Sequence, residues 1–192
     1  MNKKLPLFIV EEPEHKKLLT KDAASVSFPL SSEDKQLIET MKHMVKEGIE
    51  GGCAGLAAPQ VGVSKRIIVY HVMEEWRAWR TDLESAVPIT VLINPTYTPI
   101  EENERALDWE GCFSVRDLRG KVYRYKTIQH EAQDEAGNPI KGIARGFEAR
   151  LLQHEIDHVN GILVADLYDP DSPCGTPEEM KAVWDKEDAE LE

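Results

Sequence analysis

The chain of 192 residues has few cysteines, no long apolar run and a shortage of positive charge. Its three cysteines are odd in number and scattered, so they do not form a disulfide framework, and a reducing compartment suits them. No stretch approaches the roughly 20 apolar residues that cross a bilayer. The first residues also lack the apolar core of a signal peptide. We therefore expect a cytoplasmic protein without a membrane span.

Lysine and arginine number 23 against 35 acidic residues, which gives a formal net charge of -12. Binding to nucleic acid depends on lysine and arginine at the phosphates, so we expect no direct nucleic-acid binding. The length and the 41% hydrophobic content are those of one globular unit. We predict a single domain over residues 1–192, with an acidic C-terminal tail at 178–192 that is a candidate helix.

The pattern H-E-x-x-H is present at His154–His158. On a helix, His154 and His158 fall on one face, so a metal can bind both with Glu155 beside it. Apolar residues at helical spacing and Gly161 as a stop signal favour a helix here. These apolar residues are Ala149, Leu151, Leu152, Ile156 and Val159. The alternative is a surface helix that carries the pattern by chance. The presence of a third ligand would distinguish a metal site from such a chance match.

Three positions are to be considered for the third ligand. Val164 stands where the metzincin pattern needs a histidine, which excludes that class. Glu178 has a plausible offset for a thermolysin-like site, yet it equally fits an acid in the first turn of a helix. Cys112 is the better candidate, because a thiolate and two imidazoles leave a fourth position open for water. The alternative for Cys112 is a small, buried, apolar side chain.

Three segments together resemble peptide deformylase, in that family's order and over most of the chain. They are GLAAPQ at 55–60, EGCFS at 110–114 and QHEIDH at 153–158. The resemblance implies a divalent metal held by Cys112, His154 and His158. Fe²⁺ is expected in the cell, and Zn²⁺, Ni²⁺ or Co²⁺ can replace it in purified protein. It also implies removal of formate from N-formylmethionyl nascent peptides.

The resemblance assigns three catalytic roles. Glu155 takes a proton from the attacking water and returns it to the departing amine. The side-chain amide of Gln60 and the backbone N–H of Phe113 donate to the developing oxyanion. Outside its motif, Gln60 reads as an ordinary turn residue.

Substrate contacts are implied by the same resemblance, with a hydrophobic pocket for the methionine side chain. The positions are Ala54, Gly55, Glu110, Phe113, Arg119, Phe147 and Leu151. Arg119 matches an arginine that contacts the peptide, although a solvated loop charge is the alternative. We expect Glu110 to pair with Arg119 or Arg150 and so to brace the Cys112 loop.

The chain departs from the family pattern in two places. Cys53 replaces the first glycine of the first motif, where a left-handed backbone would strain a cysteine by about 1 kcal/mol. Some deformylases dock on the ribosome through a basic C-terminal helix, but the tail here is acidic. We expect a monomer with at most a transient ribosome contact.

The predicted fold class is α+β, with antiparallel sheets packed around a central helix that carries H-E-x-x-H, and with an N-terminal helix. Ser31 caps that first helix, its apolar stripe runs from Leu37 to Ile49, and Gly51–Gly52 end it. Strands are predicted at 66–72, at 89–93 before Asn94, in a hairpin of 122–133 with 139–144, and at 162–167. The segment 73–88, with Trp76 and Trp79, reads as an insertion.

Overall fold

Two antiparallel sheets and four α-helices make up the computed structural model, which describes residues 5–49, 52–101 and 104–191. The helices are α1 Pro13–Leu19, α2 Ser32–Glu47, α3 Gly146–Val159 and α4 Pro177–Leu191. The strands are β1 Gly55–Ala57, β2 Ile67–Val72, β3 Val87–Pro99, β4 Arg105–Cys112, β5 Val115–Tyr125, β6 Thr127–Gln133, β7 Pro139–Arg145 and β8 Cys174–Gly175. The larger sheet has the order β1-β2-β3-β6-β7 and the smaller one β4-β5-β8. The predicted α+β class is confirmed.

Helix α2 begins as predicted, because the Ser31 side chain accepts a hydrogen bond from the backbone N–H of Asp34. Its buried face packs on the larger sheet and comprises Leu37, Ile38, Met41, Met44 and Val45. The helix ends at Glu47, earlier than predicted, because Gly48 adopts a φ of 77° that a residue with a side chain avoids. Of the predicted stop, Gly51 lies outside the described residues.

Strand β3 runs through the point where the sequence predicted its end. Asn94 has a φ of 52° and interrupts the pairing register without ending the strand. Its side chain accepts from the Val26 N–H at 2.8 Å and donates to the Val26 carbonyl at 2.9 Å. The Asn94–Pro95 pair is therefore a bulge, a position where proline needs no N–H for the ladder.

Two other strand predictions were wrong in detail. The predicted strand 122–133 is divided at Lys126, where the chain passes from β5 in the smaller sheet to β6 in the larger one. The predicted hairpin is confirmed, since β6 pairs with β7 around the turn at 134–138. The apolar run at 162–167 is not a strand but contains a 3₁₀ turn, Val164–Leu167, because so short a run has no decisive period.

Helix α3 lies between the two sheets. Its apolar side chains Leu152 and Ile156 share a core with Ile68 and Leu92 of the larger sheet. Towards the smaller sheet, the Gln153 amide accepts from the Tyr125 N–H at 3.0 Å and donates to the Tyr125 carbonyl at 2.9 Å. Across the described ranges, no helix has both the length and the apolarity to cross a membrane.

Candidate metal centre

Cys112, His154 and His158 come together in the interior. One ligand atom from each lies within 4.8 Å of the others, and Cys112 Sγ is 3.2 Å from His158 Nε2. Cys112 ends β4, whereas the two histidines are one helical turn apart on α3. The fold therefore unites the three residues predicted as ligands.

The chemistry of this donor set fits a divalent transition metal. Burial opposes ionisation of the Cys112 thiol, but His158 and His154 outweigh it and hold the pKa of that thiol well below its usual range. The Ser114 N–H also donates to Sγ at 3.3 Å. A thiolate with two imidazoles suits zinc and iron alike and leaves a coordination position open.

Glu110 orients one of the ligands from behind. Its Oε2 is 3.0 Å from His154 Nδ1, which leaves Nε2 of that imidazole to face the site. Arg124 donates to both carboxylate oxygens at 3.0 Å, and Arg150 donates to Oε1 at 2.6 Å. Burial alone would raise the pKa of Glu110, but His154 and Arg124 hold it well below its usual range.

Of the two arginines predicted as alternative partners of Glu110, Arg150 is the one that pairs with it. Arg150 pairs with Glu110, whereas Arg119 donates to the Leu118 carbonyl and lies directly against Gly111. A side chain at Gly111 would collide with the Arg119 guanidinium, so this glycine is needed for close approach.

Arg124 and Asp157 complete the buried network, and sequence reasoning missed both. The third guanidinium nitrogen of Arg124 pairs with the Asp157 carboxylate on α3. The network thus connects β4, β5 and the helix that bears the histidines. Asp157 could have indicated a buried ion pair from the sequence, because an acidic residue on the buried face of a helix requires a cationic partner.

Glu155 projects into the cavity beside the ligands. It is 3% exposed, and among the described residues its Oε2 has no hydrogen-bond partner. Burial raises the pKa of this carboxyl. A Cβ at Gly55 would lie 2.5 Å from Glu155 Oε1, so the glycine makes room for the carboxylate.

Gln60 has its amide fixed in one orientation. The buried side chain accepts from the Ala57 N–H through Oε1 at 2.9 Å. Its Nε2 therefore faces Cys112 Sγ at 3.5 Å and Ser114 Oγ at 3.4 Å. The arrangement provides a hydrogen-bond donor beside the ligands, and Phe113 follows Cys112 directly at the end of β4.

A cavity of about 350 Å³ opens onto these residues. Every position predicted to contact substrate borders it, with Trp109 and Arg150 in addition. The predicted positions are Ala54, Gly55, Glu110, Phe113, Arg119, Phe147 and Leu151. Trp109 carried no sequence signal beyond its place next to Glu110.

Cys53 is not strained, because its backbone does not adopt the left-handed conformation that would cause strain. Asn94 is the only non-glycine residue with a positive φ in the described part of the chain. Cys53 is 5% exposed, and its thiol donates to the Gly55 carbonyl at 3.2 Å. Burial, and then the Glu155 charge, raise the pKa of the Cys53 thiol to about 12.

Glu178 takes no part in the centre. It is exposed in the first turn of α4 and does not belong to the group of Cys112, His154 and His158. The thermolysin-like alternative is therefore not favoured.

Comparisons with known proteins agree on one family. Residues 7–173 match the family profile described as polypeptide deformylase. Peptide deformylase 2 of Rickettsia conorii is 47% identical over 150 residues, which cover 77% of this chain and 73% of that protein. Peptide deformylase of Oceanobacillus iheyensis is 34% identical over 86% of this chain and 92% of that protein. A Met-Ala-Ser-bound crystal structure of class I type b peptide deformylase from Acinetobacter baumannii superposes with a TM-score of 0.72 at 32% identity, covering 87% of this chain and 99% of that one.

Proposed function

The chain belongs to the polypeptide deformylase family, and we propose that its own site removes the formyl group from N-formylmethionyl peptides. The products are formate and a free amino terminus. The observation that carries the proposal is one cavity bordered by Cys112, His154, Glu155 and Gln60. His158 completes the ligand group at its inner end.

Cys112, His154 and His158 would hold the metal. A divalent ion bound there supplies a water of lowered pKa and an electrophile for the formyl oxygen. Glu110 keeps His154 in the ligating orientation, and the Arg124 pair keeps Glu110 in place. The ligands are therefore arranged before any substrate enters.

Glu155 carries the proton in this reaction. Its free Oε2 accepts the proton that the attacking water loses, and then delivers it to the nitrogen of the departing amine. A carboxyl whose pKa is raised by burial is a stronger base than an exposed one, which suits both halves of the transfer. Gly55 leaves the carboxylate room to serve both atoms.

Gln60 and Phe113 stabilise the negative charge that develops on the formyl oxygen. The Gln60 Nε2 donor is fixed by the Ala57 hydrogen bond, so little reorganisation is needed during the reaction. The Phe113 N–H is the second donor. Removal of one such donor typically lowers kcat by about two to three orders of magnitude.

The peptide lies along the cavity beside the metal. Ala54, Phe147 and Leu151 give its apolar wall, which suits the unbranched methionine side chain. Gly55 and Arg119 border the same cavity. We infer that Gly55 lies beside the peptide backbone and that Arg119 contacts the peptide.

The cellular setting follows from the family and the composition. We place Fe²⁺ at the site in the cell, with Zn²⁺, Ni²⁺ or Co²⁺ as substitutes during purification. The enzyme acts as a cytoplasmic monomer on nascent chains. Its acidic C-terminal helix argues against ribosome docking through basic residues there, so the ribosome contact is transient and uses another surface.

A Cys112→Ala variant tests the assignment against a Glu178→Ala control. Both are purified anaerobically, assayed for formate release from a formyl-Met peptide, and analysed for metal in the same sample. Cys112→Ala is expected to lose metal and turnover, because one of three ligands is gone, while Glu178→Ala keeps both. The reverse result would overturn the proposal in favour of a thermolysin-like site. Wild-type protein that binds metal but releases no formate would identify a catalytically impaired homologue.

A further inference from the structure

An aromatic turn from the segment 73–88 packs on Phe147, which itself borders the cavity. The Trp76 ring centroid lies 5.8 Å from that of Phe147 at an interplanar angle of 89°, and Trp79 lies 6.5 Å away at 72°. The guanidinium carbon of Arg80 is 4.7 Å from the Phe147 centroid. We call Trp76, Trp79 and Arg80 the aromatic brace.

Arg80 anchors the brace to the elements that carry the metal ligands. Its guanidinium donates to both Asp82 carboxylate oxygens at 2.9 Å and lies 2.7 Å from the Asp108 carboxylate on β4. The Asp82 carbonyl accepts from the Phe147 N–H at 3.2 Å, in the first turn of α3. A side chain at Gly146 would collide with that carbonyl, so the turn and the helix are in close contact. A shift of the brace therefore requires Phe147 to shift as well.

Trp76 also reaches the opposite side of the cavity through His71. The two rings meet edge to face at 5.3 Å. A ring nitrogen of His71 is 2.8 Å from the Cys53 carbonyl, and its backbone N–H donates to the Ala54 carbonyl at 2.9 Å. Ala54 borders the cavity. Trp76 therefore contacts both Phe147 and His71, the residue that holds Ala54 through a hydrogen bond.

We propose that the residues of the aromatic brace are positioning residues. They fix the position of the Phe147 ring and thereby limit the size of the peptide's first side chain that the pocket can accept. This rests on the function proposed above. Packed aromatic pairs have preferred geometries, and a guanidinium over the ring adds to them, so the brace favours one position of Phe147. When Trp76 is removed, the Phe147 ring gains room to turn outward. The pocket then widens enough for a side chain bulkier than that of methionine.

Equilibrium binding of two tripeptides, Met-Ala-Ser and Phe-Ala-Ser, tests the proposal by calorimetry on the metal-loaded protein. The readout is the ratio of the two Kd values, which reports pocket width without depending on turnover. We expect Trp76→Ala to reduce the preference for methionine about tenfold and Trp79→Ala about threefold. Trp76→Phe keeps a ring and should restore the ratio to within about twofold of wild type.

Arg77→Ala is the matched control on the same turn. Its guanidinium pairs with Glu74 and the Glu84 carbonyl, so its loss should leave the ratio unchanged. Unchanged ratios in both Trp76→Ala and Trp79→Ala would overturn the proposal. Trp79 is 63% exposed, so Trp79→Ala should fold. If Trp76→Ala does not fold, an unchanged ratio in Trp79→Ala alone overturns the proposal. Formate release by the wild type is measured in parallel, because its absence contradicts the proposed function while the ratio still tests the brace.

Discussion

The inner end of the cleft is held by buried charges, whereas its outer rim is held by aromatic rings. Behind the ligands, Glu110, Arg124 and Asp157 are between 5% and 8% exposed and pair with one another. At the rim, Phe147 and Trp109 are partly buried, with ring centroids 5.5 to 6.5 Å from those of their neighbours. Charge-assisted hydrogen bonds fix the direction between single atoms, whereas ring contacts fix a preferred packing geometry and fill volume.

This contrast separates the reaction from the choice of substrate. A buried network fails when one member is removed, because the remaining charges have no water to replace the lost partner. A rim of rings can be changed in size at modest cost. We therefore expect the metal centre to tolerate few substitutions. Substitutions in the segment 73–88 and in α4 are expected to change which peptides fit the cavity.

Glu155→Gln should give the largest effect on activity at the inner end. The amide keeps the shape beside Gly55 but cannot accept the proton, so kcat should fall by about two to four orders of magnitude. Metal content should stay near that of the wild type, because Glu155 is not a ligand. Glu148→Gln, on the same helix but bonded to Tyr70, is the control and should keep kcat within about twofold. A near-normal rate for Glu155→Gln would remove this residue from proton transfer.

Arg124→Met should give the next largest effect and tests the buried network directly. It leaves Glu110 and Asp157 without their shared cation, which should destabilise the fold by about 3–5 kcal/mol. Metal affinity should fall by about 10–100-fold as His154 loses its orientation. Denaturant unfolding and competition with a chelator measure the two quantities.

Arg105→Met is the matched control for that variant. This exposed arginine stacks on Tyr125 and donates to its hydroxyl at 2.6 Å, and it pairs with no buried carboxylate among the residues that the structure describes. If Arg124→Met and Arg105→Met lose the same small amount of unfolding free energy, the buried charges do not stabilise the inner end of the cleft. The inner end and the rim would then not differ in how they are held.

Trp184→Ala should give the smallest effect and tests the other side of the rim. Trp184 of α4 meets Trp109 edge to face at 5.5 Å, and Trp109 Nε1 donates to Glu187 at 2.8 Å. Loss of the ring should weaken Met-Ala-Ser binding by about two- to tenfold while kcat stays within about twofold. Lys181→Ala, which removes only an exposed pair with Asp185, serves as the control. A loss confined to kcat would place Trp184 in the inner region instead.

Local patterns predicted helices α2 and α3 but not α1, and the structure brings together the three residues predicted as ligands. The period of α2 and the H-E-x-x-H spacing are properties of neighbouring residues, so they can be read without the fold. Cys112 was a candidate from its ligand chemistry, whereas only the resemblance indicated Gln60, because its motif is distant from the other two along the chain. No local signal announced that β3 would continue through Asn94, since the reason is a pair of hydrogen bonds to Val26.

Long-range partners explain most of what the sequence did not predict. Arg124 and Arg119 look alike in the sequence, but only Arg124 points from β5 towards Asp157 and Glu110. Trp76 and Trp109 carry no motif. Trp109 borders the cavity from β4, and Trp76 packs on Phe147 because the segment 73–88 folds back onto α3. Such positions require the register of the strands, which hydrophobic pattern alone does not supply.

The buried network also determines the charge of the whole centre. Its ionisable groups are Arg124, Arg150, Glu110 and Asp157, with Cys112 and Glu155 at the cavity. The two guanidinium groups cancel the two carboxylates of the network, so the Cys112 thiolate is left, together with Glu155 when that carboxyl is ionised, and a single dication neutralises both. Since uncompensated charge is costly when it is buried, we expect a divalent ion to fit this centre better than a monovalent one. That charge balance depends on two arginines, Arg124 and Arg150, which pair with Glu110 and are not among the three candidate ligands.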